Sequence, residues 1–145
     1  MSWSRLLADR TVSRVSPTKA ELDNLRSIVR RSLQDVAAVG LSADARFIMA
    51  YDAARTLSLM IVRASGYRPR SVGAHYHTFT ALEVSDPGFT KLSAYFDGCR
   101  IKRNASKYQF AGGISATDAD GLLATVQQFA KDVETWLKAH HPELV

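Results

Sequence analysis

The stretch CRIKRNASKYQF (Cys99 to Phe110) sets four cations, Arg100, Lys102, Arg103 and Lys107, around one Asn and one Tyr. Such a run fits a solvated helix face, a nucleic-acid grip or part of a ribonuclease site. A helical wheel separates its members. With Leu92 at zero, steps of about 100° put Phe96 near 40°, Cys99 near −20° and Arg103 near 20°. Arg103 thus stands in the middle of the apolar stripe, where a leucine is expected. A charge in such a seam marks a cleft, an ion pair or an interface. Arg100, Lys102 and Lys107 form a solvated or phosphate-facing rim. Tyr108 lies five residues on, roughly 140° round. It shares a site with Arg103 only if the helix bends or ends there, or if a second subunit closes the groove.

Other candidate groups are weaker. Asp52 and Arg55 are three apart and can pair along one helix face, either orienting a bundle or lining a cleft beside the Arg103 helix. His75-x-His77 and the adjacent His140 and His141 suggest a metal at first sight. An i,i+2 pair on a helix diverges by roughly 200°, and one cysteine without a C-x-x-C pattern falls short of a zinc signature. No metal site and no cofactor are expected. Cys99 sits on the apolar stripe and reads as a small hydrophobe. No G-x-S-x-G elbow, P-loop or G-x-G-x-x-G is present, and AGGIS reads as a turn between helices.

The elements that must carry these residues are helical nearly throughout. Pro17, Thr18 and Glu21 announce a first helix, with Leu22, Leu25, Val29, Leu33 and Val36 at spacings of three and four and Gly40 as its end. Ser42 caps a second helix, ended by Gly66, so apolar on two sides that it belongs at the centre of a bundle. A loop containing Gly66, Pro69 and Gly73 leads to a short helix over residues 74–84. SDPG breaks it and primes a fourth helix from about Phe89 to about Tyr108. Thr117 with Asp120 caps the last, whose stripe is Leu122, Val126, Phe129, Val133 and Trp136 or Leu137. No strand alternation, repeat or low-complexity tract is evident. The expected fold is all-α: an antiparallel up-and-down bundle of four main helices plus a short one over residues 16–145, preceded by an N-terminal arm at 1–15.

At 145 residues, 46% hydrophobic and 23% charged, the chain has the size and composition of one globular domain. Its formal charge of +5 is uneven. Between 63 and 107, eight Lys and Arg stand against three Asp and Glu, whereas 108–145 holds two against five. A basic middle attracts polyanions. The single cysteine excludes an internal disulfide framework, and neither a leader's apolar region nor a membrane-length run is present. A cytoplasmic protein that does not meet the membrane is expected.

Two segments in this order, FIMAYDAARTLSLMIVRASGYRPRSVGAHYHTF and FDGCRIKRNASKY, resemble the HEPN superfamily of small helical-bundle proteins over roughly residues 18–140. The resemblance implies an antiparallel bundle that dimerises. In active members an R-x4-6-H motif places Arg and His in a cleft between subunits and cleaves RNA without metal. Such members are often toxins or defence effectors, frequently paired with a minimal nucleotidyltransferase as antitoxin. On this likeness Arg103 matches the motif arginine, Asn104 the polar residue that often follows it, and Tyr108 occupies the histidine position. A histidine titrates near neutrality and shuttles protons, whereas a tyrosine, with a reference pKa of about 10, stays neutral. A tyrosine can still position a phosphate or a 2′-hydroxyl, or stack on a base. His75 and His77 could supply an imidazole across a dimer, though no spacing puts them there.

Three readings follow. In the first, the chain is a HEPN-like homodimer in a toxin–antitoxin or defence system, its Arg-lined cleft (Arg100, Lys102, Lys107, Asp52, Arg55) binding RNA, a nucleotide or a partner protein. In the second it is a metal-independent endoribonuclease toxin using Arg103, Asn104 and Tyr108. In the third it is a non-catalytic scaffold or antitoxin-like subunit.

Overall fold

The computed structural model describes residues 1–108 and 112–145; the side chains of Lys107 and Tyr108 lie outside that description. The architecture grows from one helix. Ser42 accepts a hydrogen bond from the Ala45 N–H and starts α3, Ala43–Ala64. Its alanines at 50, 53 and 54 are fully buried and let neighbours approach closely, while Phe47, Tyr51, Leu57, Met60, Ile61 and Val62 fill the space between. The hydroxyls of Thr56 and Ser58, also buried, donate to the carbonyls of Asp52 and Ala54 at 3.0 and 2.8 Å, so both are satisfied within the helix. α3 touches α2 (Lys19–Asp35), α4 (Ala74–Ser85), α5 (Thr90–Tyr108) and α6 (Ala116–His140), which makes it the hub of an all-α fold.

Each neighbour contributes the stripe its spacing predicts. α2 buries Leu22, Leu25 and Val29. It ends at Asp35, earlier than Gly40, which completes the turn beyond with φ +87°. α6 buries Leu122, Val126, Phe129, Val133 and Leu137. Trp136 is only partly buried, its indole N–H donating to Asp86 Oδ2 at 3.0 Å. The cap of α6 is Ser115 with Asp118 in a reciprocal box, two residues before the expected Thr117 and Asp120. Ser115 wins because its hydroxyl reaches the Asp118 N–H while Asp118 reaches back to the Ser115 N–H.

The chain also holds a two-stranded sheet that alternation does not foretell. β1, Val12–Arg14, runs antiparallel to β2, Tyr67–Pro69, with Ser13 opposite Arg68. Three-residue strands are too short to show a period of two. Residues 1–15 thus form α1 (Trp3–Ala8) and β1, and Leu6 and Val12 bury against Val62, Tyr67 and Ala81. Trp3 stacks on Tyr67 at 3.8 Å between ring centres. Arg63, 2% exposed, fastens this layer to the bundle. Its guanidinium pairs with Glu21 and donates to the carbonyls of Val15 at 2.8 Å and Tyr67 at 2.9 Å. Among the described residues no helix is long and apolar enough to cross a membrane.

Candidate functional site

Arg103 lies where the wheel puts it, half-buried on the inner side of α5. Its guanidinium stands over the Tyr51 ring, 5.6 Å from the centroid. Nη1 donates to Asn104 Oδ1 at 3.1 Å, and the buried Nε has no hydrogen-bond partner among the described residues. No carboxylate among them pairs with it. Most buried N–H groups find an acceptor. A half-buried cation with a stranded N–H keeps a donor that an incoming anion could satisfy.

Tyr51 is the floor. It is wholly buried, and its hydroxyl shares a 2.9 Å hydrogen bond with Nδ1 of His75, in the first turn of α4. Burial pushes the Tyr51 phenol up to about 12, against the pull of Arg103, Arg55 and Arg100. The hydroxyl stays neutral at physiological pH and adds no negative charge beside the guanidiniums. It holds the imidazole by one nitrogen and so sets the direction of the other.

The cleft between α4 and α5 holds about 360 Å3. Arg100, Arg103 and Asn104 form one wall, and Gly73, His75 and Tyr76 the other. Arg100 bonds Asp97 at 2.7 Å, which raises its pKa, and lies 5.5 Å from the Tyr76 ring centre. Gly73 shapes the rim with a φ of +75°, and a Cβ there would approach His77 Nε2 at 3.0 Å. α4 begins at Gly73 without a side-chain cap, so the positive end of its dipole faces this region. Asp44, at the start of α3, holds the far end of α5 through Ser106 Oγ at 2.8 Å and takes the Gly112 N–H at 2.8 Å. Chiefly the Gly112 bond, then Ser106, lowers its pKa.

The structure thus brings Arg100, Arg103 and Asn104 together and leaves other candidates elsewhere. Lys102 turns towards α6, with Nζ 3.2 Å from Asp118 Oδ2, and lines a different hollow beside Cys99. Arg55 does not make the ion pair with Asp52 that their spacing allows; it turns into a separate cavity against α2 and β2, while Asp52 stays close enough to Tyr51 to oppose its ionisation. The proposed roles of the Lys107 and Tyr108 side chains fall outside the described residues. Cys99 is buried, and burial pushes its thiol up to about 11, so it is a core group rather than a nucleophile.

Two members of the site were not legible as such. Tyr51 looks like one more apolar position on α3, and the signal that could have found it is that a buried tyrosine needs a partner for its hydroxyl. His75 was visible as an imidazole but had no place, because the hydroxyl it meets belongs to another helix, 24 residues away in sequence. Comparison of the chain with family models, with curated proteins and with solved structures gives no match.

Proposed function

We propose that the chain is an RNA-binding protein of the HEPN kind, whose α4–α5 cleft grips a phosphodiester of single-stranded RNA. One observation carries this reading: Arg103 offers a buried Nε–H, unpartnered among the described residues, beside His75 and Asn104 in an open cleft. A phosphate supplies several acceptor oxygens and a negative charge to match the guanidinium. The up-and-down HEPN arrangement and a homodimer belong to the same reading and rest on the resemblance of the two sequence segments. Binding of a fluorescein-labelled oligouridylate, followed by anisotropy at several salt concentrations, tests it. Arg103→Ala is expected to weaken binding roughly tenfold or more. It should also flatten the salt dependence by about 0.7 in log–log slope for each phosphate that the variant no longer holds. RNA affinity equal in wild type and variant would sink the proposal.

The position of His75 favours a second reading, in which the cleft also cuts. The imidazole would take the proton of a 2′-hydroxyl, and the 2′-oxygen would then bond to phosphorus. The bond to the 5′-oxygen breaks, and that oxygen takes a proton from solvent, leaving a 2′,3′-cyclic phosphate and a 5′-hydroxyl. Arg103 would stabilise the charge that builds on the phosphoryl oxygens in between. Under this reading His75 fills the place for which the sequence offers Tyr108. Incubation of RNA with the pure protein in EDTA decides it: cyclic-phosphate ends that vanish with His75→Ala support cleavage, and intact RNA limits the protein to binding.

A further inference from the structure

On the other side of the first turn of α4 lies a second cavity, of about 270 Å3, that the Arg103 cleft does not explain. Leu25, Leu59, Pro69 and Ala74 give it an apolar wall. Three guanidiniums, those of Arg55, Arg63 and Arg68, stand around it against the single carboxylate of Glu21. That carboxylate is already committed: Arg63 holds it from within the protein, and Arg68 reaches its Oε2 at 3.4 Å. Arg55 is left over. It makes no hydrogen bond or ion pair with the described residues, and its Nε is buried.

Among the described residues, the two half-buried arginines without a carboxylate, Arg55 and Arg103, both act on the same phenol, that of Tyr51. Arg55 follows Tyr51 by four residues of α3, about 6 Å along the axis. Ala74 lines both cavities, so they adjoin across the start of α4. An apolar wall with a cationic lip suits a flat, weakly polar group attached to an anion. A nucleotide has that composition. Its base would lie on Leu25, Leu59 and Pro69 while its phosphate meets Arg55 and Arg68. The volume falls just below the ~300 Å3 from which ligand sites commonly start, and so admits one nucleotide at most.

We infer that the Arg55 cavity is a second nucleotide subsite, which receives the next nucleotide of the strand, beyond the two units joined by the phosphodiester that Arg103 holds. This rests on the RNA-binding reading and gives it a length: the protein prefers a strand to a mononucleotide or a dinucleotide. The apolar wall offers no set of hydrogen-bonding groups, so the subsite tolerates different bases.

The test uses 2′-O-methyl oligouridylates of two and eight units, which cannot be cut through the 2′-oxygen, with wild type, Arg55→Ala, Leu59→Trp and Arg103→Ala. Arg55→Ala is expected to weaken the octamer about tenfold and lower its salt slope by about 0.7, leaving the dinucleotide unchanged. Leu59→Trp fills the cavity with every cation retained, and is expected to weaken the octamer alone. It also keeps the test in force should Arg55→Ala not fold. Arg103→Ala should weaken both probes. Octamer binding that survives both cavity variants but falls with Arg103→Ala would remove the subsite and leave the cleft. Equal weakening of both probes by Arg55→Ala would make Arg55 part of the Arg103 cleft and refute a separate subsite. RNA binding that is absent, or indifferent to Arg103→Ala, would overturn the underlying reading and the subsite with it.

Discussion

Tyr51→Phe probes the floor of the cleft through its pH dependence. A phenol raised from 10.0 to about 12 on folding stays protonated in the native chain where the unfolded chain has ionised. Between those values the native state binds more protons than the unfolded state, so stability falls as pH rises. The full loss is about 2.7 kcal/mol, from two pH units at 1.36 kcal/mol each. Phenylalanine removes this loss, and also removes the hydrogen bond to His75, worth about 1 kcal/mol at neutral pH. The variant should therefore be the less stable protein at pH 8 and the more stable one at high pH, with the two curves crossing near pH ~10.6. Urea unfolding followed by circular dichroism at half-unit steps from pH 8 to 11.5 measures it. Other groups titrate in this range, but they do so in both proteins and cancel in the difference. A constant gap between wild type and Tyr51→Phe through pH 11.5 would refute the reasoning. It would mean that water reaches the hydroxyl and that Tyr51 is not the neutral floor beneath Arg103.

Arg63→Ala should cost about 3–5 kcal/mol, because it takes the close partner from Glu21, leaving it the longer Arg68 contact, and strands several carbonyls inside the junction of the β layer with the bundle. A thermal melt should show the midpoint lowered by about 10 °C or more. Gly73→Ala forces a residue with a Cβ into φ +75° beside His77; a loss of about 1–2 kcal/mol is expected, together with weaker RNA binding, since the same turn carries His75. Cys99 should react with a thiol reagent at the rate of unfolding: labelling that is complete in native buffer at pH 8 would contradict its burial and its raised pKa.

The helices were legible because each buries a stripe at the helical period, and the stripes of α2, α3 and α6 reappear as the core. The β1–β2 pair was not legible, for it exists through tertiary support: Trp3 on Tyr67 and Arg63 beneath them, with partners more than forty residues apart. Within the site, Arg103 announced itself by breaking an apolar pattern. Lys102, one residue earlier, carries the same charge and belongs to another surface, a distinction that follows from the 100° step between them. For Arg55, sequence spacing leaves two places open, beside Asp52 or in a cleft wall; no ion pair joins it to Asp52, and its side chain lines the cavity with Glu21, Leu25 and Arg68.

The charges around Tyr51 bear on the choice between a binding site and a structural ion cluster. In a structural cluster each buried cation meets a carboxylate, as Arg63 meets Glu21 and Arg26 meets Glu134. Arg100 follows that rule through Asp97. Among the described residues Arg103 and Arg55 do not, and the compensation Arg103 finds is the face of a neutral ring and one amide oxygen. A cation–π contact contributes about 0.5–2 kcal/mol, whereas an unpaired buried charge costs several. Keeping two such cations around one phenol lowers the stability of the protein alone, and an anion bound at each would return it. Phosphate or sulfate at tens of millimolar should therefore raise the melting temperature of wild type by several degrees, more than chloride at equal ionic strength. Arg103→Ala combined with Arg55→Ala should lose that difference. If chloride and sulfate protect the wild type equally, the two guanidiniums hold no anion, and the cleft owes its charge to packing alone.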